Sequence, residues 1–318
     1  MVRFRKALPQ LGGDLFLTDG GIETTLIFHE GLELPDFAAF DLLKRPEGEA
    51  ALRKYFATYA ELARRFMTGL ILESPTWRAS ADWGQRLGYS SEALADANRH
   101  AIRLLEELRN ELDSAATPVV ISGCVGPRGD GYNPGFLMSE DEAEAYHRQQ
   151  IETFADTAAD MVTAITMNYA NEAVGVARAA ERAGMPVAIS FTVETDGTLP
   201  TGETLQAAIE RVDAATTRYP AYYMINCAHP THFDHLLSTG ESWLNRLRGL
   251  RANASRKSHA DLNESASLDT GNPEEFGAEH SQIKKRMSQI NILGGCCGTD
   301  HRHIEQIAEA CSPLFGRT

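Results

Sequence analysis

Two adjacent cysteines near the end of the chain carry the clearest chemical signal in the sequence. Cys296 and Cys297 stand between glycines in the stretch GGCCGTD, residues 294–300, and Cys227 lies well upstream in the stretch INCAHP. Thiolates favour soft or borderline metals, and three of them with one open position form a Cys₃ site for which zinc is the usual metal. The sequence therefore predicts a zinc site on Cys227, Cys296 and Cys297.

The glycines beside the cysteine pair have a geometric role in this prediction. Adjacent side chains on a regular strand point to opposite faces, so Cys296 and Cys297 reach one metal only where the backbone bends. Gly294, Gly295 and Gly298 tolerate unusual dihedrals and allow such a bend.

For any cysteine taken alone, the alternative role is that of a small buried apolar residue. We expect that role for Cys311, which lies inside the last predicted helix. The role of Cys124 stays open, because it follows a predicted strand and would lie near the proposed site.

Composition excludes several classes of protein. The chain has 318 residues, 43% of them hydrophobic, and a net charge of −14, which disfavours nucleic acid and anionic membranes as partners. Nothing approaches the roughly 20 apolar residues that span a bilayer, and the N-terminus does not resemble a secretory signal. Five cysteines in so long a chain argue against a disulfide-stapled secreted fold. We therefore expect a reduced, cytoplasmic protein, with its oligomeric state left open.

Short apolar runs alternate with longer segments of helical periodicity along the whole chain. This alternation predicts a parallel sheet with helical crossovers, and eight repeats favour a single (β/α)8 TIM barrel over residues 1–318. A doubly wound open sheet is the alternative, but the first strand lacks the glycine-rich turn that usually marks it. The predicted strands are Leu15–Leu17, Leu70–Leu72, Val119–Ile121, Met161–Ile165, Val187–Phe191, Tyr222–Ile225, Leu247–Leu250 and Ile290–Leu293.

Local signals place several helix ends and one irregular segment. Leucine spacing predicts a helix within Ser90–Ser114, Ser139 begins a capping box, and Gly184 marks a helix end. The segment Arg251–Ser281 is polar and poor in apolar residues. We interpret it as an extended loop after strand seven, either on the active-site side of the barrel or as a mobile surface insertion.

Functional side chains of a barrel gather where each strand ends and its loop begins. The ends of strands six and eight carry the three cysteines of the predicted zinc site. The other strand ends, together with the residue before Cys227, supply candidate substrate-binding residues: Asp19, Gly20, Glu73, Thr166 and Asn226.

Five stretches carry a resemblance to a known family. They are LTDGGIETTL (17–26), GCVGPRG (123–129), ISFTVETDGTLPTGET (189–204), INCAHP (225–230) and GGCCGTD (294–300), and together they span nearly the whole chain. In these stretches the chain resembles the zinc-dependent homocysteine S-methyltransferases. The resemblance implies a (β/α)8 barrel with zinc on Cys227, Cys296 and Cys297, and a thiol substrate in the open metal position.

The resemblance also implies a reaction. A free thiol is mostly protonated at neutral pH, and metal coordination converts it to the nucleophilic thiolate. The thiolate would attack the methyl group of a small onium donor in an in-line displacement, which needs alignment more than acid–base chemistry. Homocysteine is the default acceptor and methionine its product, with zinc as the cofactor.

One position departs from the family pattern and leaves the acceptor open. The family places a glutamate for the amino group of homocysteine at the end of strand four, where this sequence has Ile165 followed by Thr166. Asp19 remains as a partner for the amino group, and Glu73 or Glu194 could replace the missing glutamate. The alternatives are therefore methylation of a different small thiol, or a zinc-binding barrel that serves as a binding or regulatory protein.

Overall fold

The described residues, 1–263 and 267–316 of a computed structural model, form a closed barrel of parallel strands. Each strand pairs with the next along the chain, and the first pairs with the last, so the sheet has no free edge. The predicted barrel is confirmed, and every predicted strand overlaps an observed one. The strands are β1 Phe16–Leu17, β2 Gly69–Glu73, β3 Val119–Val125, β4 Met161–Met167, β5 Val187–Phe191, β6 Tyr222–Asn226, β7 Leu247–Ala252 and β8 Ile292–Gly295.

Helices surround the barrel and cover its outer apolar face. No helix of the described ranges is both long and apolar enough to cross a membrane. The helices are α1 Pro46–Arg65, α2 Ala81–Arg86, α3 Ser91–Leu112, α4 Glu140–Ala155, α5 Ala170–Arg182, α6 Leu205–Ala215, α7 Pro230–Phe233, α8 His259–Asn263, α9 Pro273–Arg286 and α10 His301–Cys311.

Helix ends follow the local signals of the sequence. Ser139 forms a complete capping box with Glu142, and the Ser90 hydroxyl accepts from the backbone N–H of Ala93 at the start of α3. Gly184, two residues after the end of α5, has a left-handed φ of 63°, a conformation that glycine adopts at little cost. The predicted helix ends are thus present in the structure.

The prediction of one extended loop over residues 251–281 is wrong. Strand β7 continues to Ala252, α8 lies within the segment, and α9 begins at Pro273. Asn272 caps α9 by accepting from the backbone N–H groups of Glu274 and Glu275. The low apolar content was misleading because α9 buries its apolar residues on one narrow face and leaves acidic residues in its first turn.

The barrel interior is layered along its axis. Inward-facing apolar side chains seal the amino-terminal half, and polar side chains follow towards the carboxyl ends of the strands. The alternation of inward and outward residues along each strand produces these layers. The apolar layer consists of Phe16, Ile71, Val120, Met161, Ala188, Tyr222, Met224 and Ile292.

Candidate metal centre

Three cysteines converge at the carboxyl-terminal mouth of the barrel. The sulfur atoms of Cys227, Cys296 and Cys297 all lie within 4.8 Å of one another, so the predicted grouping is present. Cys227 is buried, Cys296 is half-buried and Cys297 opens onto the mouth. In the structure the sulfurs of Cys227 and Cys296 are at disulfide-bonding distance, with their Cα atoms 5.3 Å apart.

Cys227 reaches the mouth through an unusual backbone conformation. Directly after β6 it has a φ of 53°, in the left-handed region that few residues other than glycine adopt. Its N–H donates to the carbonyl of Arg251 at 3.0 Å. Its carbonyl accepts from Asn253 Nδ2 at 3.0 Å and lies 2.5 Å from His259 Nε2. These contacts hold a strained residue in place, as often occurs at functional sites.

The cysteine pair lies in a tight turn rather than on a strand. Strand β8 ends at Gly295, and the Cys296 carbonyl accepts from both the backbone N–H and the hydroxyl of Thr299, at 3.2 and 2.7 Å. Gly298 inside this turn has a φ of 79°, where a side chain would be strained. The bend predicted from the glycines is thus present. Because Cys296 and Cys297 lie in this turn, their side chains need not point to opposite faces as they would on a strand.

The donor set fits a zinc ion. The structure pairs Cys227 and Cys296 as a disulfide, contrary to the expectation of reduced cysteines, so this pair must be reduced before it can bind metal. A tetrahedral site with metal–sulfur bonds of about 2.3 Å then needs its sulfurs about 3.8 Å apart, within the 4.8 Å limit that encloses the three sulfurs. Free thiols are mostly protonated at neutral pH. The thiols therefore need a metal to become thiolates at neutral pH, and three thiolates together suit zinc.

Two aromatic side chains adjoin the cysteines and were missed by sequence reasoning. The Tyr132 hydroxyl lies 3.6 Å from Cys297 Sγ, and its ring stacks on His259 with centroids 3.9 Å apart. His259 contacts the Cys227 carbonyl through Nε2 and lies 3.3 Å from Glu194 Oε1 through Nδ1. His259 lies in the segment that was interpreted as a loop, and no local pattern distinguishes Tyr132 from any other loop tyrosine.

Asp19 and Gly20, both predicted to bind substrate, lie at the end of β1 with their polar groups engaged by other parts of the protein. Asp19 Oδ1 accepts from Arg251 Nη2 at 2.5 Å, and Asp19 Oδ2 accepts from the Tyr55 hydroxyl at 2.9 Å. The same hydroxyl lies 2.9 Å from the Gly20 carbonyl. A Cβ at Gly20 would meet the Tyr59 hydroxyl at 2.8 Å. Helix α1 therefore packs this closely against the turn only when residue 20 is glycine.

Glu73, at the end of β2, has a different environment. Its side chain is buried in the barrel interior, and its Oε2 atom has no hydrogen-bond partner among the described residues. Burial raises the pKa of Glu73 to about 7, although the nearby Arg251 guanidinium acts in the opposite direction. Glu73 thus keeps an unpartnered carboxylate oxygen inside the barrel.

Asn226 and Thr166 contact each other. Asn226 Oδ1 accepts from the Thr166 backbone N–H at 2.9 Å and from the Ser190 hydroxyl at 2.6 Å, and Asn226 Nδ2 donates to the Thr166 hydroxyl at 2.9 Å. Thr166 has a left-handed φ of 66°, so this network holds the end of β4 in a strained turn. A direct contact of either residue with substrate stays a prediction.

Replacing Asn226 with alanine is expected to lower the free energy of unfolding by about 2 kcal/mol. The change leaves the buried Thr166 N–H without its partner, and such a group costs about 1–3 kcal/mol. Urea denaturation of the metal-free protein measures the loss, with the exposed Asn245→Ala variant as control. Equal stability of the two variants would contradict the structural role of Asn226.

Ile165 also lies at the end of β4, at the position of the missing family glutamate. Its side chain is buried, and its carbonyl accepts from Trp77 Nε1 at 3.2 Å. An aliphatic side chain offers no charge to a substrate amino group.

Comparisons with known proteins agree with this fold and indicate a family. The family model "Homocysteine S-methyltransferase" matches residues 16–311. Betaine–homocysteine S-methyltransferase 1 from Rattus norvegicus is 24% identical over 328 residues, covering 96% of this chain and 74% of the relative. The Bos taurus protein of the same name is 24% identical over 330 residues, with the same coverage.

A solved structure has the same fold over nearly the whole chain. The metallated form of the homocysteine methyltransferase MmuM from Escherichia coli superimposes with a TM-score of 0.71 at 19% identity, covering 96% of this chain and 98% of that one. Because the family model matches almost the entire barrel, the chain belongs to the homocysteine S-methyltransferase family.

Proposed function

We propose that the protein is a zinc-dependent methyltransferase that moves a methyl group from a small onium donor to a thiol, by default homocysteine, to give methionine. The observation that carries this proposal is the convergence of three cysteine sulfurs within 4.8 Å at the barrel mouth. Membership of a methyltransferase family supports the reaction class. We further propose that one domain, residues 1–318, performs the reaction in a reducing, cytoplasmic compartment.

In the proposed reaction the residues of this chain hold and align the reactants. Zinc held by Cys227, Cys296 and Cys297 would keep the acceptor sulfur as a thiolate at neutral pH. The sulfur lone pair forms a bond to the methyl carbon while the bond from that carbon to the donor's onium atom breaks. The donor leaves with that electron pair as a neutral amine or thioether. Alignment of sulfur, methyl and leaving atom is the main requirement.

A second acceptor remains a candidate because of one observation. Ile165 provides no carboxylate at the position where the family places a glutamate for the substrate amino group. A different small thiol would then replace homocysteine, with the zinc site and the methyl transfer unchanged.

The proposal is tested with reduced, zinc-loaded protein. We expect one zinc per chain and formation of methionine from homocysteine with at least one of three donors: S-methylmethionine, betaine or S-adenosylmethionine. Mass spectrometry identifies the product. Transfer only to other thiols would support the second acceptor. Zinc binding with no transfer to any thiol from any donor would indicate a binding or regulatory protein.

A further inference from the structure

Five side chains form what we term the floor of the barrel mouth. Each retains a small exposed fraction: Asp19 4%, Glu73 5%, Cys124 5%, Arg251 6% and Ile165 8%. The polar side chains packed in the layer next to them, Ser122, Thr163 and Ser190, are 0% exposed. All five lie within two residues of the carboxyl end of a strand, which places the floor on the mouth side of the barrel interior.

Two floor residues, a carboxylic acid and a guanidinium, have unused hydrogen-bonding atoms. Glu73 Oε2 and Arg251 Nη1 are both buried, and neither has a partner among the described residues. Buried polar groups normally satisfy their hydrogen-bonding capacity, and leaving one unsatisfied is costly. A cation bound at Glu73 would favour its ionised form. The unpartnered carboxyl oxygen and the unpartnered guanidinium nitrogen thus point to a ligand with an ammonium and a carboxylate group.

Arg251 lies directly beside the three cysteines. Its carbonyl accepts from the Cys227 N–H at 3.0 Å, and its Nε donates to the Gly295 carbonyl at 3.3 Å, one residue before Cys296. Arg251 therefore lies on β7, between strands β6 and β8, whose carboxyl ends precede the cysteines. A short thiol whose sulfur joins the three cysteine sulfurs would start between the ends of β6 and β8, the two strands that flank Arg251 on β7.

Asp19 acts as the counter-ion of Arg251. It contacts Arg251 Nη2 at 2.5 Å and also accepts from Tyr55, so both of its oxygens are engaged. A guanidinium stays protonated in proteins, so Arg251 keeps its charge. Its Nη1 has no partner among the described residues and is the donor left for a ligand.

We propose that the floor recognises the zwitterionic head group of an α-amino-acid thiol, with Arg251 Nη1 donating to the carboxylate and Glu73 Oε2 accepting from the ammonium group. The inference rests on the proposed function, because the thiol must bind at the cysteines. It assigns to Glu73 the charge that Ile165 lacks, and it leaves Ile165 to contact the methylene groups between sulfur and head group.

Truncated ligands test this assignment on the unaltered protein. Calorimetry of the reduced, zinc-loaded protein compares homocysteine with 4-mercaptobutanoate, which lacks the amino group, and 3-aminopropane-1-thiol, which lacks the carboxylate. Each lost charge should weaken binding at least about tenfold, the usual scale for a charge-assisted hydrogen bond. Binding of either truncated thiol as tightly as homocysteine would overturn the assignment of the missing charge.

Two conservative variants assign each charge to its residue. Glu73→Gln should weaken the binding of homocysteine at least about tenfold and change the affinity for 4-mercaptobutanoate by no more than about twofold. Arg251→Lys retains a positive charge beside Asp19 but loses the planar donor fork, so it should weaken both carboxylate-bearing thiols and spare 3-aminopropane-1-thiol. The exposed Glu309→Gln serves as control. A uniform weakening of all three thiols would refute the assignment.

The same titrations separate this inference from the proposed function. If homocysteine is methylated but binds no more tightly than its truncated analogues, only the head-group assignment fails. If none of the three thiols binds zinc-loaded protein, the head-group assignment and homocysteine as the acceptor both fail, and only transfer to a different thiol would keep the proposed reaction.

Discussion

Replacing Cys297 with serine is expected to lower zinc affinity at least about a hundredfold and to remove methyl transfer. Removing a residue that only hydrogen-bonds to a metal ligand lowers metal affinity about 10–100-fold. Removing a ligand itself should lower the affinity further. Cys297 is also the most exposed of the three cysteines, so its replacement disturbs packing least. The prediction is measured by competition with a chelator of known affinity and by product formation.

The matched control for this prediction is Cys311→Ala. Cys311 is buried at the end of α10, and its sulfur is not part of the three-cysteine cluster. We expect the control to lose some stability but to keep its zinc affinity. Similar zinc affinities for Cys297→Ser and the unaltered protein would show that the cluster is not the metal site.

The barrel and the cysteine cluster could be predicted because both depend on local patterns. Alternating strand and helix periodicities are short-range features, and a closed barrel is the compact solution for eight such repeats. The three cysteines were predictable because their chemistry is specific and parallel strands bring their carboxyl ends together. Gly298 even indicated the turn in which the cysteine pair lies.

The charges of the barrel interior were only partly predictable. Asp19 and Glu73 were recognised at strand ends, but nothing in the sequence indicated that Arg251 would take Asp19 as its counter-ion. The two residues are more than 230 positions apart, and they meet only because β1 and β7 both flank β8 in the closed sheet. Side-chain pairing across a barrel is a tertiary property that no local pattern encodes.

The same limit applies to the mouth. Tyr132 comes from the loop after β3 and His259 from α8, and their stacking beside the cysteines depends on the paths of two separate connections. The polar composition around His259 did not predict the short helix α8. A helix of this length packs through few side chains and therefore contains few apolar residues. Sequence therefore predicted the grouping of the three cysteines and missed the residues that surround them.

The second large effect is expected for Asp19→Asn, which should lower the free energy of unfolding by about 3 kcal/mol. Removing one partner of a buried ion pair leaves the other charge uncompensated, and such changes cost about 3–5 kcal/mol. Both side chains are buried, and they meet at 2.5 Å. We expect the lower end of that range because Glu73 remains near Arg251 and asparagine still offers an oxygen to Tyr55.

A double variant separates the uncompensated charge from simple loss of a contact. Asp19→Asn combined with Arg251→Met removes both charges, and replacement of a whole buried pair by groups of similar volume is often close to neutral. The double variant should therefore be more stable than Asp19→Asn alone. The exposed pair of Arg99 and Asp96 provides the control, where Asp96→Asn should cost no more than about 0.5 kcal/mol. Urea denaturation of the metal-free proteins measures all three changes, and a double variant less stable than Asp19→Asn would show that Arg251 stabilises the barrel without its counter-ion.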